Sequence, residues 1–292
     1  MKYACITRHR AEFPVRLMCR VLAVSPAGFY AAQRRAPSAR AQRDAVLRVH
    51  VRAVHAASQR SYGAPRIHRA LQAAAIRCGR HRVARLLKAE GLRAKATRRF
   101  RVTTQASDAH PVAPNHLARA FAPGPTLNRV WAADMTYLPT RAGWLYLAVV
   151  LDVASRRVVG WAMDRTLAVA LPLAALRMAL RTRRPAAGAL HHSDRGRQYS
   201  SAAYRARLAE AGFTASMSRQ GDCWDNAVVE TFFATLKTEL ADHAAWATRA
   251  DARRAVFRYI EGWYNPHRLH SALGYHSPAQ YEAALLTGSN AA

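Results

Sequence analysis

Asp134, Asp194 and Glu230 are the acids whose settings point to chemistry. Asp134 lies mid-strand in W-A-A-D-M-T-Y (131–137), Asp194 follows a strand end in H-H-S-D-R-G-R-Q-Y (191–199), and Glu230 sits one turn into a helix in D-N-A-V-V-E-T-F-F-A-T-L-K (225–237). Carboxylates carried by a strand, a loop and a helix can hold two hard cations, because Mg²⁺ takes oxygen ligands and keeps open positions for phosphate oxygens. Two such ions would stabilise the attacking and leaving oxygens of an in-line phosphoryl transfer. No protein nucleophile is then needed, since positioning and charge suffice. The same three acids can equally cap helices or pair with arginines, as neighbouring Asp152, Asp164, Asp222 and Asp225 illustrate. Asp225 reads as a helix N-cap, Asp152 as a strand-end residue near Arg156, and Asp222 as a turn residue.

The elements that must position these acids follow from apolar patterning. Trp131–Leu138 alternates as a strand, Leu145–Val153 is nearly continuous in apolar residues as a doubly covered strand would be, and Arg157–Met163 forms a third. A helix is expected over about 168–182, a short strand over 188–193, a helix over 201–211, a strand over 213–218 and a helix over 225–240. That order describes an α/β mixed sheet with helices on its faces. On the last helix Val229, Phe232, Phe233, Leu236 and Leu240 make one stripe, with Glu230 and Lys237 on its edge. Seven residues is about two turns, so Glu230 and Lys237 share a face ~10 Å apart. Lys237 is the single lysine among the 21 basic residues beyond position 107.

The rest of the chain is strongly basic. Residues 1–107 hold 24 Lys and Arg against 3 Asp and Glu, whereas residues 108–292 hold 21 against 14. The natural counter-charge to so cationic a region is a polyanion, and double-stranded DNA is the partner expected. Residues 1–60 read as a basic helical region, in which Leu22–Tyr30 is either a short helix–turn–helix or a plain helical hairpin. Residues 61–94 read as a helix–turn–helix. Pro65 suits a first helical turn, Ile67, Ala70, Leu71 and Ala74 recur at helical spacing, and Gly79 breaks the pattern. Val83, Leu86 and Leu87 then line a second helix, and Gly91 falls where a C-terminal cap would. Arg66, Arg69, Arg80, Arg82 and Arg85 lie outside the apolar stripes and are candidate DNA contacts, or the charged outside of an ordinary hairpin. Residues 95–125 read as a linker rich in Pro, Ser and Ala, residues 126–240 as the catalytic core, and residues 241–292 as a C-terminal helical segment.

Other classes drop out. No apolar run approaches the ~18 residues that span a membrane, and the polar N-terminus is no secretory signal. Cys5, Cys19, Cys78 and Cys223 show no zinc spacing and read as small buried thiols in a reducing cytoplasm. His191 and His192 read as structural, because adjacent strand residues point to opposite faces. Arg195 is a further candidate for holding a phosphate. Tyr199 and Trp224 can stack on a base or pack in the core, and Tyr264, Asn265, Arg268 and His270 can touch DNA or dock the C-terminal segment.

These motifs together resemble the OrfB-type insertion-sequence transposases of the IS-three family, with their retroviral-integrase-like DDE core. The runs 131–137, W-L-Y-L-A-V-V-L-D-V-A-S-R-R-V-V-G-W-A-M (144–163), H-S-D-R-G-R-Q-Y-S-S (192–201) and G-D-C-W-D-N-A-V-V-E-T-F-F-A-T-L-K-T-E (221–239) look like the family's catalytic segments. Thirty-five residues separate Asp194 from Glu230, as in the family's third motif, and Lys237 fills its basic position seven beyond the Glu. Y-N-P-H-R-L-H-S-A-L-G-Y-H-S-P (264–278) resembles the C-terminal signature, and 61–92 the helix–turn–helix module. The resemblance implies a ribonuclease-H-like core in which Asp134, Asp194 and Glu230 are catalytic and hold two Mg²⁺ or Mn²⁺ ions. It implies cutting of element ends to free 3′-hydroxyls that attack a second DNA. It also implies a homo-oligomer on element-end and target DNA, and fusion to an upstream-frame product. A non-catalytic DNA-binding regulator of the element, or a nuclease that hydrolyses without joining, would share much of this pattern.

Overall fold

A computed structural model describes residues 1–95, 112–121, 124, 126–219 and 223–288. The chain divides into two compact units, Met1–Val54 and His55–Ala292. The first holds α1 (Lys2–His9), α2 (Val15–Val21) and α3 (Pro26–Arg34). Ile6, Cys19 and Phe29 form its small core. The turn expected within Leu22–Tyr30 joins α2 to α3, where Ser25 accepts a hydrogen bond from the Gly28 amide and Pro26 opens the helix. Helix α4 (Ala39–Ala57) follows.

In the second unit, α5 (Ala64–Ala73) and α6 (Arg80–Ala89) confirm the paired helices read at 61–94. Ile67, Leu71, Val83, Leu86 and Leu87 are their buried stripes. Gly91 takes φ +65° just beyond α6, a conformation that costs an L side chain strain. The core sheet has five strands: β1 (Val130–Thr140), β2 (Gly143–Asp152), β3 (Val158–Asp164), β4 (Leu190–Ser193) and β5 (Thr214–Met217). Their order is β3-β2-β1-β4-β5. β2 runs antiparallel to both β1 and β3, and β4 and β5 lie parallel to β1 and to each other. Helices α7 (Ala170–Thr182), α8 (Ala202–Glu210), α9 (Ala227–Glu239) and α10 (Arg249–Tyr259) complete the layers. A π-helical stretch (Ile260–Tyr264), a single turn α11 (Asn265–His267) and α12 (Pro278–Leu286) end the chain.

Alternation along β1 and β2 explains the two layers. Trp131, Ala133, Ala148 and Val150 join Leu171, Leu176, Tyr204 and Leu208 in one core under α7 and α8. The opposite-parity residues Leu145, Leu147, Val149 and Leu151 are buried as well, so β2 is covered on both faces, as its apolar run requires. Gly160 lets α7 lie directly on β3: a Cβ there would stand 2.7 Å from the Ala179 amide nitrogen.

Both sheet edges are covered by side chains and loops. On β3, the Asn265 amide bonds Val158 N and O, the Thr182 hydroxyl reaches the Val159 carbonyl, and the Trp161 amide meets the Met178 sulfur. On β5, the Met217 amide donates to the Pro114 carbonyl, and the Ser216 hydroxyl accepts from His116 N–H. Residues 112–121, inside the stretch expected to be linker, therefore pack against the core, and Leu117 is buried there.

Candidate active site and the surfaces around it

Asp134 sits on β1 opposite Val149, Asp194 at the exit of β4, and Glu230 on α9. Because β4 is parallel to β1, its C-terminal end delivers Asp194 beside Asp134. Asp134 is half-buried, and its carboxyl is held well above the ordinary range. Burial is the largest cause, the Asp194 charge comes next and Glu230 adds to it, while the Met135 amide and Lys237 act the other way. Asp194 is raised by burial, against a hydrogen bond from Gly196 N–H at 3.0 Å. Glu230, the most exposed of the three, is raised by partial burial and then by Asp194. The fold thus brings all three acids into one field of mutual repulsion, with Lys237 at its border.

That arrangement answers to positive charge. The donors are all carboxylate oxygens, the hard ligands that Mg²⁺ and Mn²⁺ prefer. Among the described residues no group of three or more His, Cys, Asp or Glu side chains stands ready to enclose a single ion. The Asp134 carboxyl feels the charges of both Asp194 and Glu230.

The neighbours divide into structural and surface groups. His191 hydrogen-bonds the Tyr204 hydroxyl at 3.1 Å and His192 the Ser216 hydroxyl at 2.9 Å, on opposite faces of β4 as expected. Burial keeps both neutral, with pKa values lowered to about 3 and about 4. Tyr199 is a core residue rather than a base-stacking one. Its ring is enclosed, its hydroxyl has no hydrogen-bond partner among the described residues, and it lies within electrostatic reach of Asp134 and Asp194. Arg195 is tethered through Nε to the Ser218 carbonyl at 2.8 Å. The Trp224 side chain and Asp222 lie outside the described residues.

Several expectations need correction. Asp225 is not an N-cap, since Asn226 occupies that position without a side-chain bond. The buried Asp225 carboxylate instead collects Arg219, Arg119 and Asn115, and the Arg219 hydrogen bonds hold it well below the usual range. Asp152 does end β2, and it accepts the amides of Asn128, Ala154 and Ser155. Cys5 is exposed rather than buried, whereas Cys19 is buried and Cys78 half-buried, all as free thiols. Arg66 is not on an open basic face: its Nε donates to the Leu269 carbonyl at 3.0 Å because the C-terminal segment covers it. Arg69, Arg80 and Arg85 are exposed, and Arg82 is half-buried.

Sequence reasoning missed Glu239. This acid ends α9, is buried, and accepts two bonds from Arg268, at 2.9 and 2.8 Å, plus one from the Tyr259 hydroxyl at 2.9 Å. Lys95 donates to its main-chain carbonyl. Tyr62 extends the network toward α5. Its hydroxyl accepts from Leu269 N–H at 2.7 Å, and its ring stands 5.6 Å from that of Trp263. Tyr264, Asn265 and Arg268 are all buried in this docking, with the Tyr264 hydroxyl on the Arg156 carbonyl. His270 sits edge-on to Tyr264 at 5.0 Å.

Sheet order, parallel β4 and a carboxylate cluster at its exit define an integrase-type catalytic core preceded by helix–turn–helix-like helices. Integrase core domain models match residues 125–223 and 211–278, and an HTH-like domain model matches residues 41–100, reaching back into α4. Transposase InsF of insertion sequence IS3A from Escherichia coli strain K12 is 43% identical over 288 residues, covering 97% of this chain and 98% of that protein. An uncharacterized 31 kDa protein of insertion element IS600 from Shigella sonnei is 44% identical over 264 residues, 90% of this chain and 97% of its own. Among solved structures, a simian T-cell lymphotropic virus intasome aligns at 14% identity and TM-score 0.46 over 75% of this chain and 74% of its own. A magnesium complex of the HTLV-2 integrase core aligns at 13% identity and TM-score 0.38 over 53% of this chain and 97% of its own. The chain belongs to the IS3-type insertion-sequence transposases, polynucleotidyl transferase-type enzymes of DNA transposition. Among the described residues no helix is long and apolar enough to cross a membrane.

Proposed function

We propose that the chain cleaves DNA at insertion-sequence ends and joins the freed 3′-hydroxyl to a second DNA, with Asp134, Asp194 and Glu230 as the catalytic acids. The observation that carries this reading is the convergence of three carboxylates from β1, the β4 exit and α9 into mutual repulsion. Such a cluster is costly unless cations occupy it. Two bound divalent ions of the Mg²⁺ or Mn²⁺ type would supply charge to the attacking and leaving oxygens of an in-line displacement. The protein's part is orientation. Gly196 N–H fixes the Asp194 carboxylate, Met135 N–H fixes that of Asp134, and α9 holds Glu230 and Lys237 along one rim. In this reading Lys237 and Arg195 hold backbone phosphates, and Arg69, Arg80, Arg82 and Arg85 contact the duplex. Assembly of more than one copy on DNA, in a bacterial cytoplasm and with an upstream-frame product, belongs to the same proposal.

The test is cleavage and joining on a labelled element end with Mg²⁺ or Mn²⁺, comparing the unmutated protein with Glu230→Gln, in the fused form if an upstream frame exists. Metal-dependent product that disappears in Glu230→Gln is expected. Tight DNA binding without product under either metal would overturn catalysis and leave a binding regulator. Nicked product without joining would leave a nuclease.

A further inference from the structure

The β1–β2 hairpin ends in an aromatic pair that neither the acids nor the core uses. Tyr137 and Trp144 stand edge to face, with centroids 5.0 Å apart at 82°. They remain 43% and 50% exposed, although rings of this size are ordinarily largely buried. Isolated exposed rings need no explanation, but this pair is built in. The two-residue turn at Arg141 and Ala142 requires Gly143 at φ +99°, and a Cβ there would meet the Arg249 guanidinium at 2.6 Å. Arg249 Nε donates to the Trp144 carbonyl at 2.9 Å, and Arg141 N–H donates to the Trp246 carbonyl at 2.9 Å. The backbone beneath the rings is pinned while the rings stay open.

Its surroundings select the occupant. The Lys237 ammonium stands 5.3 Å from the Tyr137 centroid and also acts on the Asp134 carboxyl. Lys237 therefore links the platform to Asp134. Arg141 and Arg249 add cations around it, so the ligand must offer flat π faces and negative charge together. Nucleotides do this, but bases stacked within a duplex do not offer their faces. Unpaired bases do, and aromatic side chains stack on them with little regard to sequence.

We propose that Tyr137 and Trp144 form a stacking platform for unpaired nucleobases of the DNA strand that enters the three-acid site, with Lys237 on the adjoining phosphate. The direction in which the strand leads rests on the catalytic reading above; the binding itself does not.

The test uses the full chain in metal-free buffer with a chelator, and fluorescence anisotropy on two probes: a blunt duplex and the same duplex with a short single-stranded thymidine extension. The unmutated protein binds the extended probe more tightly. Trp144→Ala and Tyr137→Ala each lower affinity for the extended probe by about tenfold, within the loss expected for one base–aromatic stack, and leave blunt-duplex affinity within about twofold. Trp144→Phe keeps the preference. The proposal is overturned if the unmutated protein does not distinguish the probes, or if the alanine variants bind both as before or lose both equally. Metal-dependent cleavage is read separately on the same proteins. A stacking preference without cleavage leaves the platform and removes catalysis, whereas cleavage without the preference removes the platform alone.

Discussion

Replacing Arg268 by methionine tests how α9 is anchored. The Arg268 and Glu239 side chains are each only 6% exposed, and Nε and Nη2 of the arginine both bond Oε1 of the acid. Arg268→Met leaves a buried carboxylate held by two neutral donors, the Tyr259 hydroxyl and the Trp263 indole. That carboxylate also lies at the C-terminal end of α9, where the helix dipole repels negative charge. Breaking a buried pair from one side costs about 3–5 kcal/mol. At about 2–4 °C per kcal/mol for a domain of this size, Tm falls by roughly 6–20 °C. Glu239→Gln strands the arginine and is also destabilising. Arg268→Met combined with Glu239→Gln strands no charge, so its loss falls short of the sum of the single losses by about 2 kcal/mol or more. Urea titration and thermal unfolding followed by circular dichroism measure all three variants. A Tm change below about 2 °C for Arg268→Met, or strict additivity in the double variant, would refute the anchoring argument.

Three further outcomes are expected. Asp194→Asn removes metal-dependent product yet keeps duplex affinity within about threefold, read by gel shift beside the cleavage assay, because phosphate contacts made elsewhere dominate binding. His270 gives the second unit an acid sensitivity. Burial, foremost, and then Arg268, Arg66 and Arg156 lower its pKa from the ordinary 6.5 to about 3. The unfolded chain takes up the proton first, so the contribution is complete above about pH 6.5 and is lost as pH falls toward 3. Between pH 7 and 5 the loss is at most about 2 kcal/mol, and Tyr264-facing His270→Phe flattens the urea midpoint against pH over that window. Gly160→Ala drives a methyl to 2.8 Å from Ala179 Cβ as well as against the α7 backbone, so it costs about 3 kcal/mol in urea unfolding, the upper end of ordinary overpacking.

How much of this was legible depended on whether the cause was local. The strands announced themselves through the unbroken apolar run 145–153 and the alternation at 131–138, because a doubly covered strand and its neighbour leave those periods in the sequence. The α5–α6 pair was legible for the same reason, with Pro65 and Gly91 punctuating it. The three acids could be nominated from their elements, but nothing local separated them from Asp225, whose carboxylate the fold gives to Arg219 and Arg119. Arg66 and Glu239 were misjudged or missed because their partners, Leu269 and Arg268, lie far along the chain and arrive only when the C-terminal segment closes over α5 and α9. One sign of Glu239 was present: an acid at a helix C-terminus opposes the dipole and needs compensation.

The covered margins of the sheet have a consequence for association. A bare edge strand offers main-chain donors and acceptors to any passing extended chain and so invites fibre-like growth. Here the Asn265 amide stands in for a neighbouring strand at Val158, Thr182 and Met178 extend the cover, and residues 114–116 do the same beyond β5. A strongly basic protein crowded along a polyanion meets other copies of itself at high local concentration. Main-chain groups already engaged at these positions are not free to pair with an extended segment of another copy.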